Sequence, residues 1–399
     1  MPNVAVFFNS KSSSGGSYQM SINNLLALRE KFLKNNLKLL VYSEKKNKDL
    51  DNFNIKYEVI NFSIFDKLFA YLTNYIFFKF IINRFSICSG LEKNLLKKDV
   101  SLILFLIPDF RQLIFQKIKM VSTVLDTCHK DFPEFDELNS FQIFQYRELL
   151  NIQILPRSIL IITESDELKN KISLYYNIDK KRIISIPNTP SNLSVNEPTN
   201  TFKEKIKKKF DLEKEFYFYP AQFWPHKNHL LILSSVKMLK EKFNRSINFV
   251  FCGFDKKKNK EFINNKIIEF DIQKNIKILD YLTHEEVGCL LRISNGLVMP
   301  TFLGPTNMPP VEAWSAKVPV LYSSLLKSHG KNAALYFDPH SPEELAKRII
   351  ELDCHNTKKI LLDNGLKRVT EITQQNEEGV TALFEKINRF IKLRNNWDT

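Results

Sequence analysis

Residues 296–314 read GLVMPTFLGPTNMPPVEAW. Residues 296–299 suit a strand, and the prolines and the single Gly304 that follow suit a stiff loop. The stretch then turns helical, with one carboxylate, Glu312, expected in the first helical turn. Strand, turn and helix in this order form the unit from which parallel α/β sheets are built. The same order recurs on both sides of the stretch.

Upstream, strands fit at residues 4–8, 37–42, 101–107, 120–126, 158–163 and 182–186. The first is followed by Gly15-Gly16 and a helical pattern from Ser17, and the fifth by a helix starting at Ser165. Residues 188–200, NTPSNLSVNEPTN, are the best linker, and the pattern restarts beyond them. Strands then fit at 215–219, 248–252, 276–279, 296–299, 320–322 and 334–337, with helices at 229–243, 341–354 and 377–393. The expected fold is α/β: two doubly wound, Rossmann-like domains facing across a cleft. The expected domains are 1–190 and 191–375, with a terminal helix, 376–399, packing back on the first. In open α/β sheets ligands bind outside the carboxyl ends of the strands, so residues just after strands are the ones to weigh.

Bulk properties agree. A chain of 399 residues exceeds one ordinary core, and 44% hydrophobic with 26% charged residues describes a globular protein. Cys88, Cys128, Cys252, Cys289 and Cys354 show no paired spacing, which suits a reducing cytoplasm and argues against disulfides or a zinc site. The formal charge is +14, with lysine runs at 203–209 and 256–258. It fits a solvated basic surface, an anionic membrane surface or phosphorylated substrates. Nucleic acid is another reading of charge alone, but no aromatic–basic motif supports it. No signal peptide is visible at the N-terminus. The greasiest segment, 64–85, is interrupted by Lys67, Lys79 and Arg84. It falls short of the ~20 apolar residues of a spanning helix. It reads either as a buried helix or as a helix dipping into a membrane interface.

Four places could carry chemistry. Gly15-Gly16, between a strand and a helix, fits a phosphate approaching backbone amides, or simply a tight turn. In YPAQFWPHKNH, 219–229, Lys227 sits at a helix start where its ammonium can meet a diphosphate, and Gln222 can donate to the same group. His226 and His229 have no neighbouring carboxylate in sequence, so a metal is not expected there. Gly304, Asn307 and Met308 suggest backbone held open for a ligand, and Glu312 can accept from the two hydroxyls of a ribose; the bland alternative for Glu312 is compensation of the helix dipole. His129, after the fourth strand, either contacts a sugar hydroxyl, moves a proton, or is a buried structural histidine. Arg147 and Glu148 read as a surface ion pair.

Taken in order, these blocks resemble the family 4 retaining glycosyltransferases of the GT-B fold. The glycine loop, His129 with FPEF behind it, Thr163-Glu-Ser165, Ile186-Pro-Asn188, YPAQFWPHKNH, the loop ending PPVEAW and Leu335-Tyr-Phe-Asp-Pro339 all carry the match. The family usually has two glutamates eight positions apart, and the first would fall at Gly304; a common arginine falls at Gln222. The resemblance implies Lys227 and Gln222 on the donor diphosphate and Glu312 on the ribose. It also implies Gly15 and Gly16 over the phosphates, amides of Asn307 and Met308 on phosphates or sugar, and His129 on the donor sugar. Asn307 or backbone amides would replace the missing glutamate. The implied reaction is retaining transfer from a nucleoside diphosphate sugar to a saccharide or polyprenyl-linked acceptor, as in lipopolysaccharide or capsule assembly. No DxD-type motif follows a strand, so neither metal nor cofactor is expected. The enzyme would be cytoplasmic, peripheral at the inner membrane face. A non-catalytic sugar-nucleotide binding protein is the alternative.

Overall fold

The computed structural model describes residues 3–10, 15–190, 197–255, 259–280, 282–304 and 306–397. Residues 11–14, 191–196 of the expected linker, the lysines at 256–258, and Pro305 lie outside the described residues. The chain divides into two compact units. The first comprises 1–133, 138–187 and 374–399; the second comprises 134–137 and 188–373. The short segment 134–137, read from sequence within the N-terminal domain, therefore counts with the second unit.

The first unit holds a seven-stranded parallel sheet. Its strands are β1 (Asn3–Phe7), β2 (Leu39–Ser43), β3 (Glu58–Val59), β4 (Val100–Phe105), β5 (Lys119–Thr123), β6 (Leu160–Thr163) and β7 (Ile183–Ser185), ordered β3-β2-β1-β4-β5-β6-β7. Both faces are buried, which explains the nearly continuous apolar runs. Val4, Val6, Leu102 and Leu104 face one core, where Leu25, Leu28 and Phe32 of the helix Gly16–Lys34 pack. Ala5, Phe7, Ile103 and Phe105 face the other, covered in part by Leu91, Leu95, Leu150 and Ile154. Alternation with period two sorts the side chains between the layers.

The second unit repeats the plan with six parallel strands: β8 (Tyr217–Pro220), β9 (Phe249–Cys252), β10 (Ile276–Leu279), β11 (Gly296–Met299), β12 (Val320–Ser323) and β13 (Leu335–Phe337). Their order is β10-β9-β8-β11-β12-β13. In both sheets the chain winds outward from the first strand, returns, and winds the other way. The direction reverses between β1 and β4 in one unit and between β8 and β11 in the other. A ligand crevice forms outside the carboxyl ends of the strands at such a reversal.

Three expectations change. The two-residue β3 was not read from sequence, because a pair of exposed residues carries no periodicity. The terminal helix is longer than 377–393: it runs unbroken over His355–Trp397. Its residues 374–397 count with the first unit, where Val380, Leu383, Phe384, Ile387 and Ile391 join the core at helical spacing. Segment 64–85 forms two short helices, Ile64–Leu72 and Ile76–Arg84, and the buried reading fails: Ile64 is 81% and Phe65 82% exposed. All five cysteines are free. Among the described residues no helix is long and apolar enough to cross a membrane.

Candidate functional site

In the second unit, the two strands flanking the reversal, β8 and β11, are hydrogen-bonded neighbours. The loops leaving their carboxyl ends contain Gln222, Lys227, Gly304 and Asn307, and the second of them leads into the helix Met308–Ser315, which holds Met308 and Glu312. Backbone bonds stitch the two loops together. The His226 carbonyl accepts from the Phe302 amide at 3.0 Å and from the Thr301 hydroxyl at 3.2 Å. Asn228, in a left-handed conformation, donates to the carbonyls of Pro300 and Pro339.

Lys227 ends a 3-10 turn, Pro225–Lys227, just before the helix His229–Phe243. Its carbonyl is pinned by the hydroxyl of Tyr219 on β8 at 2.8 Å. Its ammonium acts on buried His229, contributing to the depression of that imidazole. Gln222 accepts the Trp224 indole N–H at 2.6 Å. This fixes the carbonyl end of its amide and leaves NH2, a donor, as the other end. The two histidines are separated by their surroundings. His226 Nδ1 lies 2.8 Å from Glu137. His229 is stacked on Phe223 in the core, where burial pushes its pKa down to about 3. Among the described residues no group of three or more His, Cys, Asp or Glu side chains is placed to hold a metal.

After β11 the chain turns at Gly304 with φ +122°. A Cβ there would sit 3.0 Å from both amide atoms of Asn307. A glutamate at 304 would strain the backbone and push the Asn307 carboxamide aside by a few tenths of an ångström. Asn307 precedes the helix Met308–Ser315 but does not cap it; its side chain donates to Tyr322 Oη on β12 at 2.9 Å. The Asn307 carboxamide is therefore an anchor, and what this residue can offer a ligand is its backbone amide. The four N–H groups that an α-helix leaves without intrahelical partners fall here on residues 307–310. Pro309 and Pro310 have none, so Asn307 and Met308 carry the two that remain.

Glu312 is half-buried and stands fifth in its helix, beyond the first turn, which contains no acid. The expectation of a first-turn carboxylate is corrected accordingly. Dipole compensation fades within the first turn, so it does not explain Glu312.

In the first unit, Gly15 precedes the helix Gly16–Lys34 with φ +63°, and nothing lies within 4 Å of a Cβ placed there. The first turn of that helix contains no acid of its own. His129 follows β5, in the short helix Cys128–Asp131, and is fully buried. Its Nε2 lies 2.7 Å from Glu148, while Nδ1 is buried with no hydrogen-bond partner. With Glu148 ionised, Nε2 carries the proton that faces it, which leaves Nδ1 as the ring atom open to a ligand. Burial raises the pKa of Glu148, but bonds from Tyr176, His129 and Lys130 outweigh it and hold the carboxyl below its ordinary range. The expected Arg147–Glu148 pair does not form: Arg147 bonds Asp126 at 2.6 Å and Glu148 turns to His129.

Sequence reasoning missed a second cluster in this unit. Arg111, after β4, is buried and bridges Glu44 and Asp109, with its guanidinium over the rings of Phe7, Phe62 and Phe110. It stands at the β1/β4 reversal. The signal available was its place just after a strand; its partners come from distant sequence.

Residues 200–359 match the family described as Glycosyl transferases group 1. The O-antigen chain mannosyltransferase RfbU of Salmonella typhimurium is 26% identical over 216 residues, 53% of this chain and 56% of that protein, so the match spans about half of this curated relative. Among solved structures, a glycosyltransferase from Rickettsia africae superposes with a TM-score of 0.68 at 14% identity, covering 98% of each chain. HepE of Anabaena, crystallised with UDP and glucose, gives 0.70 at 12% identity over 98% of this chain and 100% of that one. The fold is GT-B, and the resemblance to group 1 glycosyltransferases holds.

Proposed function

We propose that this chain, with a group 1 glycosyltransferase domain at residues 200–359, transfers a sugar from a nucleoside diphosphate sugar to a saccharide or lipid-linked saccharide acceptor, with retention at the anomeric carbon. The observation that supports the reading is that the loop holding Lys227 and the loop leading into the helix Met308–Ser315 leave neighbouring strands at the β8/β11 reversal and are joined by backbone bonds. The hard step is departure of a diphosphate that gains negative charge as the glycosidic bond breaks. Lys227 would stabilise that charge as it forms, assisted by the Gln222 amide and by the Asn307 and Met308 N–H groups. Glu312 would accept from the ribose hydroxyls.

Where the resemblance leads one to expect a glutamate at 304 accepting from the sugar, a backbone N–H of Asn307 or Met308 would instead donate to a sugar hydroxyl oxygen. The roles of Gly15, Gly16 and His129 rest on the resemblance alone; at His129 the contact atom would be Nδ1. No metal is invoked, because Lys227 and oriented amides supply the positive field. The match to an O-antigen mannosyltransferase supports surface-glycan assembly as the setting and mannose as the first sugar to try. Such an acceptor would bring the enzyme to the inner face of the cell membrane.

A thermal-shift screen over UDP, GDP, dTDP and ADP sugars tests the proposal. One class of donor should raise the melting temperature and then be consumed when acceptor is supplied. Stabilisation by none of them would remove the donor-binding reading; stabilisation without turnover on any lipid-linked or soluble saccharide would reduce it to sugar-nucleotide binding.

A further inference from the structure

The helices Ile64–Leu72 and Ile76–Arg84 do not behave as a surface helix pair should. Phe65 (82% exposed), Phe77 (69%), Phe80 (68%) and Phe85 (70%) all stand in solvent within some twenty residues of sequence, with Ile64 and Tyr71 among them. Single exposed apolar residues are ordinary; a cluster of this density marks an interaction surface. The segment is firmly built rather than loosely draped. Ser63 and Asp66 form a capping box, and buried Asp66 also accepts from the Leu91 amide at 3.2 Å. Ala70 and Ile82 are buried on the inner side.

The charges choose the partner. Between residues 64 and 87 the ionic side chains are Asp66, Lys67, Lys79 and Arg84. Asp66 is buried and spent on the cap, so every ionic group the segment turns outward is a cation. A second copy meeting this face through a two-fold axis would set cations against cations, with no outward acid in the segment to pair them. A hydrocarbon-spanning role is excluded, since each helix has only nine residues. Aromatic side chains with basic neighbours are the composition that lies in the headgroup layer of an anionic bilayer. Each lysine or arginine near such a surface contributes through its negative potential.

We infer that the face formed by residues 64–85 docks the protein on the anionic phospholipid surface of a membrane. This deepens the reading of a membrane-borne acceptor and rests on it for its purpose, while vesicle binding is measured with no acceptor or donor present. The test is co-sedimentation of the full chain with phosphatidylglycerol-containing vesicles and with pure phosphatidylcholine vesicles. Wild type should pellet with the anionic vesicles and much less with the neutral ones. A Phe65→Ser/Phe77→Ser/Phe80→Ser variant should partition at least about tenfold more weakly. Lys67→Glu/Arg84→Glu should lose the preference for anionic lipid. Melting temperature and donor-induced thermal shift should stay unchanged in both, because the altered side chains are exposed. Wild type remaining in the supernatant, or the triple serine variant binding as well as wild type, overturns the proposal. So does a wild-type dimer that the serine variant converts to monomer without any vesicle binding. Vesicle binding without transfer would instead count against the enzymatic reading alone.

Discussion

At the scale of single residues, the site is decided by what each neighbour permits. Gly304 is the clearest case. Its backbone is strained for any side chain, and a Cβ there would press on the Asn307 carboxamide, so the acid that the sequence resemblance leads one to expect fits poorly. Gly304→Glu should therefore not improve donor binding. It should weaken it and lower the melting temperature, because it displaces Asn307 from Tyr322 and with it the start of the helix Met308–Ser315. Tighter donor binding in that variant would refute this account of the loop. His229 illustrates a different constraint. Burial keeps its folded imidazole neutral down to about pH 3, whereas the unfolded chain protonates near the ordinary 6.5. The depressed folded value makes its contribution complete above pH 6.5 and lost as pH falls towards 3. His329, buried beside Arg368, acts in the same sense. His229→Phe should shrink the stability loss between pH 7 and pH 5 by about 2 kcal/mol in urea melts. An unchanged pH dependence would mean that His229 is hydrated in the folded protein. Much of this scale was illegible in sequence. Lys227 and Glu312 could be singled out from their positions after strands, but the Glu148–His129 and Glu137–His226 contacts join residues whose spacing carries no pattern.

At the scale of elements, sequence periodicity located twelve of the strands and the principal helices, because buried parallel strands are nearly uniform in apolar character. It failed where periodicity fades. The terminal helix was read from 377 because the apolar stripe is dense only beyond Val380; upstream the buried positions Leu361, Gly365, Arg368 and Ile372 keep helical spacing, but Gly365 and Arg368 carry no apolar signal. Segment 64–85 was ambiguous because composition does not say which face a greasy helix turns outward. The packing of the terminal helix is open to test. Leu383 is fully buried in the first unit's core. Leu383→Ala should cost about 3 kcal/mol in denaturant unfolding. A change near zero would show that the helix does not hold this position in solution.

At the scale of the whole molecule, the two sheets share one strand order apart from a seventh strand in the first, so each has a reversal point, and the second sheet lies in the region of the group 1 family match. The excess of positive charge finds two uses in this account, a diphosphate at Lys227 and an anionic lipid surface at residues 64–85. The central claim is that Lys227 and Glu312 serve one bound nucleotide. Calorimetric titration of UDP, GDP, dTDP and ADP into wild type, Lys227→Ala and Glu312→Gln tests it most directly. One diphosphate should bind wild type, and each variant should lose about tenfold or more in affinity for that same nucleotide with its melting temperature preserved. Wild-type affinity retained in both variants, or no diphosphate bound by wild type, would contradict it.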